Sequence, residues 1–164
     1  MISIQKVEYE QKSILRNLLE LYKYDFSEFD PDEDINSNGL YEYKFLDHYW
    51  TENGRYPFFI MVEGKLAGFA LVRSLGKDES NKTTYSMAEF FVMRKYRKSR
   101  VGQTAAHKIF DNFGGIWKVA EIEANIPAQT FWRKTIGKYT NGKYEEVKEE
   151  NWEGPIQTFS TYNE

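Results

Sequence analysis

The sequence predicts a mixed α/β fold, a central twisted sheet of about seven strands flanked by about four helices. Three observations predict it. Short stretches such as Ile2 to Val7 and Trp117 to Ala124 alternate apolar and polar residues, as half-buried strands do. Longer stretches place apolar residues at helical spacing, as in Ile14, Leu15, Leu18, Leu19 and Tyr22. The two kinds of segment interleave in the order β-α-α-β-β-β-α-β-α-β-β, which builds a mixed sheet with helices on both faces.

Taken in order, Ile2 to Val7 reads as the first strand. The apolar face that ends at Phe26 makes residues from Ser13 to Phe29 an amphipathic helix. Asp30-Pro31-Asp32-Glu33-Asp34 breaks it, and Asn36-Ser37-Asn38-Gly39 is turn chemistry. Tyr41 to Trp50 is expected to be a second, shorter helix. Phe58 to Val62 and Leu66 to Leu75 flank Glu63-Gly64-Lys65 as a hairpin. After a polar loop, Gly76 to Lys82, comes a long β-prone run, Thr83 to Met93. Val101, Ala105, Ala106, Ile109, Phe110 and Phe113 form the next helix, stopped by Gly114-Gly115. Trp117 to Ala124 is a strand. Pro127 and Gly137 mark the start and end of another helix. Tyr144 to Lys148 and Ile156 to Thr161 close the chain as two strands. No repeat or linker divides it, so a single domain over 1–164 is expected.

The composition fits a folded protein with a substantial core: 12 Tyr, 12 Phe and 4 Trp in 164 residues. No cysteine is present, which excludes thiol catalysis and cysteine-based zinc sites. Two histidines, His48 and His107, leave little scope for a His-rich metal site, and none is expected. The net charge of −3 argues against a nucleic-acid partner. No apolar run is long enough to span a bilayer and no secretory signal is visible, so no membrane partner and a cytoplasmic location are expected.

The most informative stretch is Glu89-Phe90-Phe91-Val92-Met93, followed by a loop, Arg94 to Arg100, in which five of seven residues are basic. Gly102, Gln103 and Thr104 then open a helix. A strand, a basic loop and a helix start in that order suit a pyrophosphate. The first amides of a helix have no intrahelical partner, and the helix dipole favours negative charge there. The alternative reading of the loop is a solvated charged turn or an RNA-contacting patch.

Arg97-Lys98-Ser99-Arg100-Val101-Gly102 resembles the Arg/Gln-x-x-Gly-x-Gly/Ala motif with which the GNAT family of N-acetyltransferases binds acyl-CoA. The first Arg and the last Gly match. Arg100 stands where the family usually has its first Gly, and because Arg resists a positive φ, a different loop path is expected. Downstream, Asn125-Ile126-Pro127-Ala128-Gln129-Thr130-Phe131-Trp132-Arg133-Lys134-Thr135-Ile136-Gly137 resembles the family's Asn-x-x-Ala-x-x-Phe-Tyr-x-Lys-x-Gly-Phe segment. Asn125, Ala128, Phe131 and Lys134 align. The resemblance implies the acyl-CoA N-acyltransferase fold and direct transfer of acetyl from acetyl-CoA, as co-substrate, to an amine.

That reaction needs a deprotonated amine, since an alkyl ammonium has a pKa of about 10.4. It also needs a donor to the thioester oxygen. The departing thiol, at about 8.5, leaves tolerably without help. By resemblance, Phe91, Val92 and Met93 line the pantetheine arm and an N–H near Phe91 or Val92 (Val92 the candidate) polarises the thioester. The main chain from Arg97 to Thr104, with Val101, Gly102 and Gln103, cradles the pyrophosphate, assisted by Arg97, Lys98 and Arg100. Asn125, Phe131 and Trp132 complete the cofactor site. Glu89 is the candidate base, and its competing reading is a solvent-facing or ion-paired carboxylate. The family's usual acid is a Tyr where this chain has Trp132, and an indole has no proton to give at ordinary pH. Tyr139 and Tyr144 lie nearby without a motif to support either.

The segment carrying Asp30, Asp32, Glu33, Asp34, Tyr41, Tyr43, Tyr49 and Trp50 is expected to border a cationic small-molecule amine. Asp34 to Gly39 opens like a calcium loop, but Phe45 stands where the bidentate Glu belongs. His107 reads as structural. Two rivals stand beside the transferase: a non-catalytic module that binds acyl-CoA or a regulatory partner, and an RNA-binding domain. A homodimer through the closing strands is left open.

Overall fold

The computed structural model describes residues 1–161. Its elements are β1 (Ile2–Lys6), α1 (Lys12–Phe26), α2 (His48–Thr51), β2 (Arg55–Val62), β3 (Lys65–Lys77), β4 (Thr83–Val92), α3 (Val101–Asn112), β5 (Ile116–Ala120), α4 (Ile126–Thr140), β6 (Glu145–Glu149) and β7 (Trp152–Ser160). The element order is the one the sequence predicts. Seven strands form one sheet in the order β1-β2-β3-β4-β5-β7-β6. Neighbours are antiparallel except β4 and β5, which run parallel. Among the described residues, no helix is long and apolar enough to cross a membrane.

Side-chain alternation sorts the core onto the two faces of the sheet. Phe69, Leu71 and Phe91 pack under Leu15, Leu18 and Leu19 of α1. Ala70, Val72 and Met87 face Ile109 and Phe110 of α3 and Trp132 and Ile136 of α4. β3 is buried on both faces, which is why its middle reads as an unbroken apolar run. Gly68 lets β4 come close, because a Cβ there would lie 1.9 Å from the Phe91 carbonyl oxygen.

Residues 41–50 do not form the expected helix. Only the single turn of α2 is helical. Here Arg16 of α1 donates to the Tyr41 carbonyl and Glu20 accepts from the Tyr41 amide at 3.1 Å, fixing Tyr41 against α1. Leu46 and Tyr49 still reach the core. Asn36 accepts from the amides of Asn38 and Leu40, which makes this segment a turn. β7 starts at Trp152, earlier than the expected Ile156, and α1 ends three residues before Phe29.

Candidate active site

Between Arg97 and Thr104 the backbone opens. The Arg97 amide bonds the Arg94 carbonyl (3.2 Å), and the Thr104 amide starts α3 on the Arg100 carbonyl (2.9 Å). Among the described residues, the six amides in between, Lys98 to Gln103, donate to no protein group. Arg100 has φ 65° and ψ 6°, and no side chain caps the helix. A left-handed residue followed by a right-handed one turns successive N–H groups toward one concavity, which binds anions. The different path expected for Arg100 is therefore not taken. The loop adopts the left-handed conformation a Gly would take, and Lys98 (φ 63°) does the same. Each such residue costs on the order of 1 kcal/mol.

β4 delivers its end to this loop. β4 and β5 pair only at Thr84–Ile116, Tyr85–Trp117 and Ser86–Lys118, and past that point they diverge. The Met93 amide bonds back to Ala67 of β3 (2.8 Å), so strand alternation turns the Val92 backbone groups to the opposite, splayed side. Gly102 sits against the same strand end. A Cβ on it would lie 3.0 Å from the Phe131 ring and 3.6 Å from Val92 Cγ2. Val92, Gly102 and Phe131 are thus brought together from β4, α3 and α4.

Arg97 bridges β4 and α1. Its Nε donates to the Val92 carbonyl (2.8 Å) and its Nη2 to Asp25 Oδ2 on α1 (2.7 Å). Arg94 donates to Oδ1 of the same Asp25. Burial raises the Asp25 pKa, but the bonds from Arg97 and Arg94 outweigh it and hold the carboxyl below its ordinary range. Lys98 and Arg100 are exposed and form no ion pair among the described residues.

Glu89 lies on the α1 face, directly after a β-bulge at which Leu71 pairs Glu89 and Val72 pairs Met87. Its carboxylate accepts from the Tyr22 hydroxyl. It is half-buried and in no ion pair among the described residues. Burial pushes its pKa up, while the Tyr22 bond and nearby Lys23 pull it down, and the net shift is upward. Lys23 itself is held by Glu33 at 2.8 Å.

The sequence pattern of the Acetyltransferase (GNAT) family matches residues 15–137, three quarters of the chain and every element described above from α1 to α4. The chain belongs to the GNAT family of acetyltransferases. No curated protein matches it. Solved structures of GNAT proteins share its fold. An acetyltransferase of the family from Staphylococcus aureus superposes with a TM-score of 0.65 at 15% identity, covering 99% of this chain and 100% of the other. An aminoglycoside acetyltransferase from an uncultured soil metagenomic sample, in complex with sisomicin, gives 0.68 at 16%, covering 92% and 95%. An acetyltransferase from Thermus thermophilus gives 0.68 at 13%, covering 98% and 97%.

In this GNAT chain the second sequence block is mostly architecture. Trp132 is 6% exposed and packs on Phe90, Phe110 and Phe131. Its indole lies in the aromatic core between the sheet and α4. Asn125 spends its side-chain oxygen on the Ala128 amide (3.1 Å) as the cap of α4. Tyr139 donates to Asp111 at 2.8 Å, and burial with that carboxylate raises its pKa. His107 bonds the Thr135 carbonyl (2.8 Å) and ties α3 to α4.

Two open clefts lie on the α1 side of this GNAT domain. One, about 450 Å³, is lined by Lys12, Arg16, Tyr43, Lys44 and Asp47 among others. The other, about 340 Å³, is acidic, lined by Asp32, Glu33, Asp34 and Glu42 with Ile35 and Asn36. Tyr22 and Asp25 were not legible as site residues. Tyr22 reads as one more residue of the α1 apolar face, and nothing local ties Asp25 to a loop some seventy positions on.

Proposed function

We propose that this chain transfers the acetyl group of acetyl-CoA to a primary amine of a small molecule by direct attack. The observation that carries the proposal is the run of six unpartnered amides, Lys98 to Gln103, at the head of α3. Unpartnered donors at a helix N-terminus fit a pyrophosphate, and exposed Lys98 and Arg100 add charge. Acetyl-CoA supplies the activated thioester, while the chain binds, orients and moves one proton. The Val92 N–H, turned to the splayed side, donates to the thioester carbonyl as negative charge develops there. Glu89 takes the proton of the acceptor ammonium, directly or through a water. No tyrosine replaces Trp132 as an acid, and the thiolate leaves as such.

The acceptor is a cationic amine. The acidic cleft of Asp32, Glu33, Asp34 and Glu42 attracts it, and the solved neighbour that holds sisomicin supports a small polyamine over a peptide.

The test combines thermal shift with thiol release. Acetyl-CoA and CoA both raise Tm, because each binds only the folded state. Thiol release then appears on adding polyamines or aminoglycosides from an amine panel. Stabilisation without thiol release across the panel makes the chain a non-catalytic acyl-CoA module. Retention by RNA with no response to CoA makes it an RNA-binding domain.

A further inference from the structure

We propose that Arg97 is a positioning residue for the end of β4, not a phosphate ligand, and that Asp25 on α1 holds it in that role. The inference rests on the acetyl-transfer reading, because the group it positions is the Val92 amide.

The geometry determines the guanidinium on three sides. Nε donates to the Val92 carbonyl at 2.8 Å, Nη2 donates to Asp25 Oδ2 at 2.7 Å, and Cζ stands 5.8 Å from the centroid of the Phe91 ring. These contacts use the directional fork of Arg, which a Lys ammonium cannot reproduce. Asp25 is itself fixed, since Arg94 donates to its other oxygen through Nε at 3.2 Å and Nη2 at 2.9 Å. A chain of hydrogen bonds therefore runs from α1 through Arg97 to β4. It arrives where β4 has lost its β5 neighbour and nothing in the sheet fixes the backbone on that side. The same helix holds Glu89 through Tyr22, three residues before Asp25. α1 thus sets both the carboxylate and the strand end against each other.

Arg97 keeps three further N–H donors, but its Nε and Nη2 are held by Val92 and Asp25 and its charge is faced by the Asp25 carboxylate, whereas Lys98 and Arg100 have no carboxylate partner among the described residues and offer an unmatched charge to an anion.

Asp25→Asn separates the two roles, because it removes the anchor and leaves every cation of the loop. Positioning predicts that Asp25→Asn and Arg97→Lys each lower kcat about tenfold or more while the dissociation constant for acetyl-CoA changes less than about twofold. The double variant is then no worse than Arg97→Lys alone. Arg94→Gln, which loosens Asp25 without touching Arg97, lowers kcat less than Asp25→Asn does. In the unliganded protein, Asp25→Asn also shifts the Val92 and Met93 amide resonances and speeds their hydrogen exchange. That readout needs no turnover, so it judges the strut even if the chain proves non-catalytic. Tighter acetyl-CoA binding in Asp25→Asn with weaker binding in Arg97→Lys, or unmoved Val92 and Met93 amides, overturns the proposal.

Discussion

The Tyr22 hydroxyl donates to the carboxylate of Glu89, joining the last turns of α1 to the middle of β4. This bond favours the ionised acid, while burial favours the protonated one. The net upward shift puts the acidic limb of the rate profile above the ordinary carboxylate range. Turnover rises with pH through that limb as Glu89 loses its proton. Tyr22→Phe removes the bond that lowers the pKa, so the limb moves to higher pH. If Glu89 is the proposed base, Glu89→Gln is expected to lower kcat about 10²–10⁴-fold while sparing cofactor affinity. Rate–pH profiles of the three proteins check this, and an unchanged limb in Tyr22→Phe removes Tyr22 from the mechanism.

Arg100 holds a left-handed conformation in which an L side chain is strained. Arg100→Gly relieves on the order of 1 kcal/mol of strain, offset by the larger chain entropy of Gly. Stability is therefore expected to change by less than about 1 kcal/mol. Acetyl-CoA affinity falls a few-fold with the loss of one exposed cation, and falls less at high salt. Denaturant unfolding and calorimetric titration at two ionic strengths read both effects.

Glu121, just beyond β5, is 4% exposed and accepts from Gln157 Nε2 at 2.9 Å. Its Oε2 and Gln157 Oε1 are buried without a partner. Burial, with Glu146 adding to it and Gln157 and Arg133 opposing, raises its pKa to about 8. The folded state therefore keeps a proton that the unfolded chain releases above about 4.3. Stability attributable to this group is full below that value, falls as pH rises through the interval and levels off above about 8. Glu121→Gln removes this slope. Urea unfolding at pH 5, 7 and 9 is the check.

Trp132 sits where relatives often carry a tyrosine, yet its surroundings are Phe90, Phe110 and Phe131. Trp132→Phe is expected to keep kcat within a few-fold, and Trp132→Ala to cost about 3–5 kcal/mol of stability. A collapse of turnover in Trp132→Phe at unchanged stability returns the indole to the chemistry.

Periodicity carried the fold because both of its signals are local. β3 and α3 announce themselves through the spacing of their own residues. The segment from Tyr41 to Trp50 misleads for the opposite reason. Its apolar residues are buried, but Arg16 and Glu20 of another element take the Tyr41 backbone groups, and no local pattern records that. The loop from Arg97 to Gly102 was legible as a basic turn from strand to helix, from its order and charge. The partition of its cations was not, because Asp25 reaches Arg97 only through the tertiary fold. Arg100 shows that a steric preference of order 1 kcal/mol yields when the flanking strand and helix fix the loop. Glu89 was legible as a lone acid in an apolar strand, while its partner Tyr22 was hidden in a helix face that reads as core.

The most direct test is to follow the backbone amide resonances of Lys98 to Gln103 while titrating CoA, with pantetheine, which lacks the pyrophosphate, as the control. Among the described residues, these amides have no protein acceptor to give up. CoA is expected to shift them together as a block, with pantetheine moving only the Phe91 to Met93 region. If CoA binds and those six resonances stay in place, the diphosphate is held elsewhere and the account of this site fails.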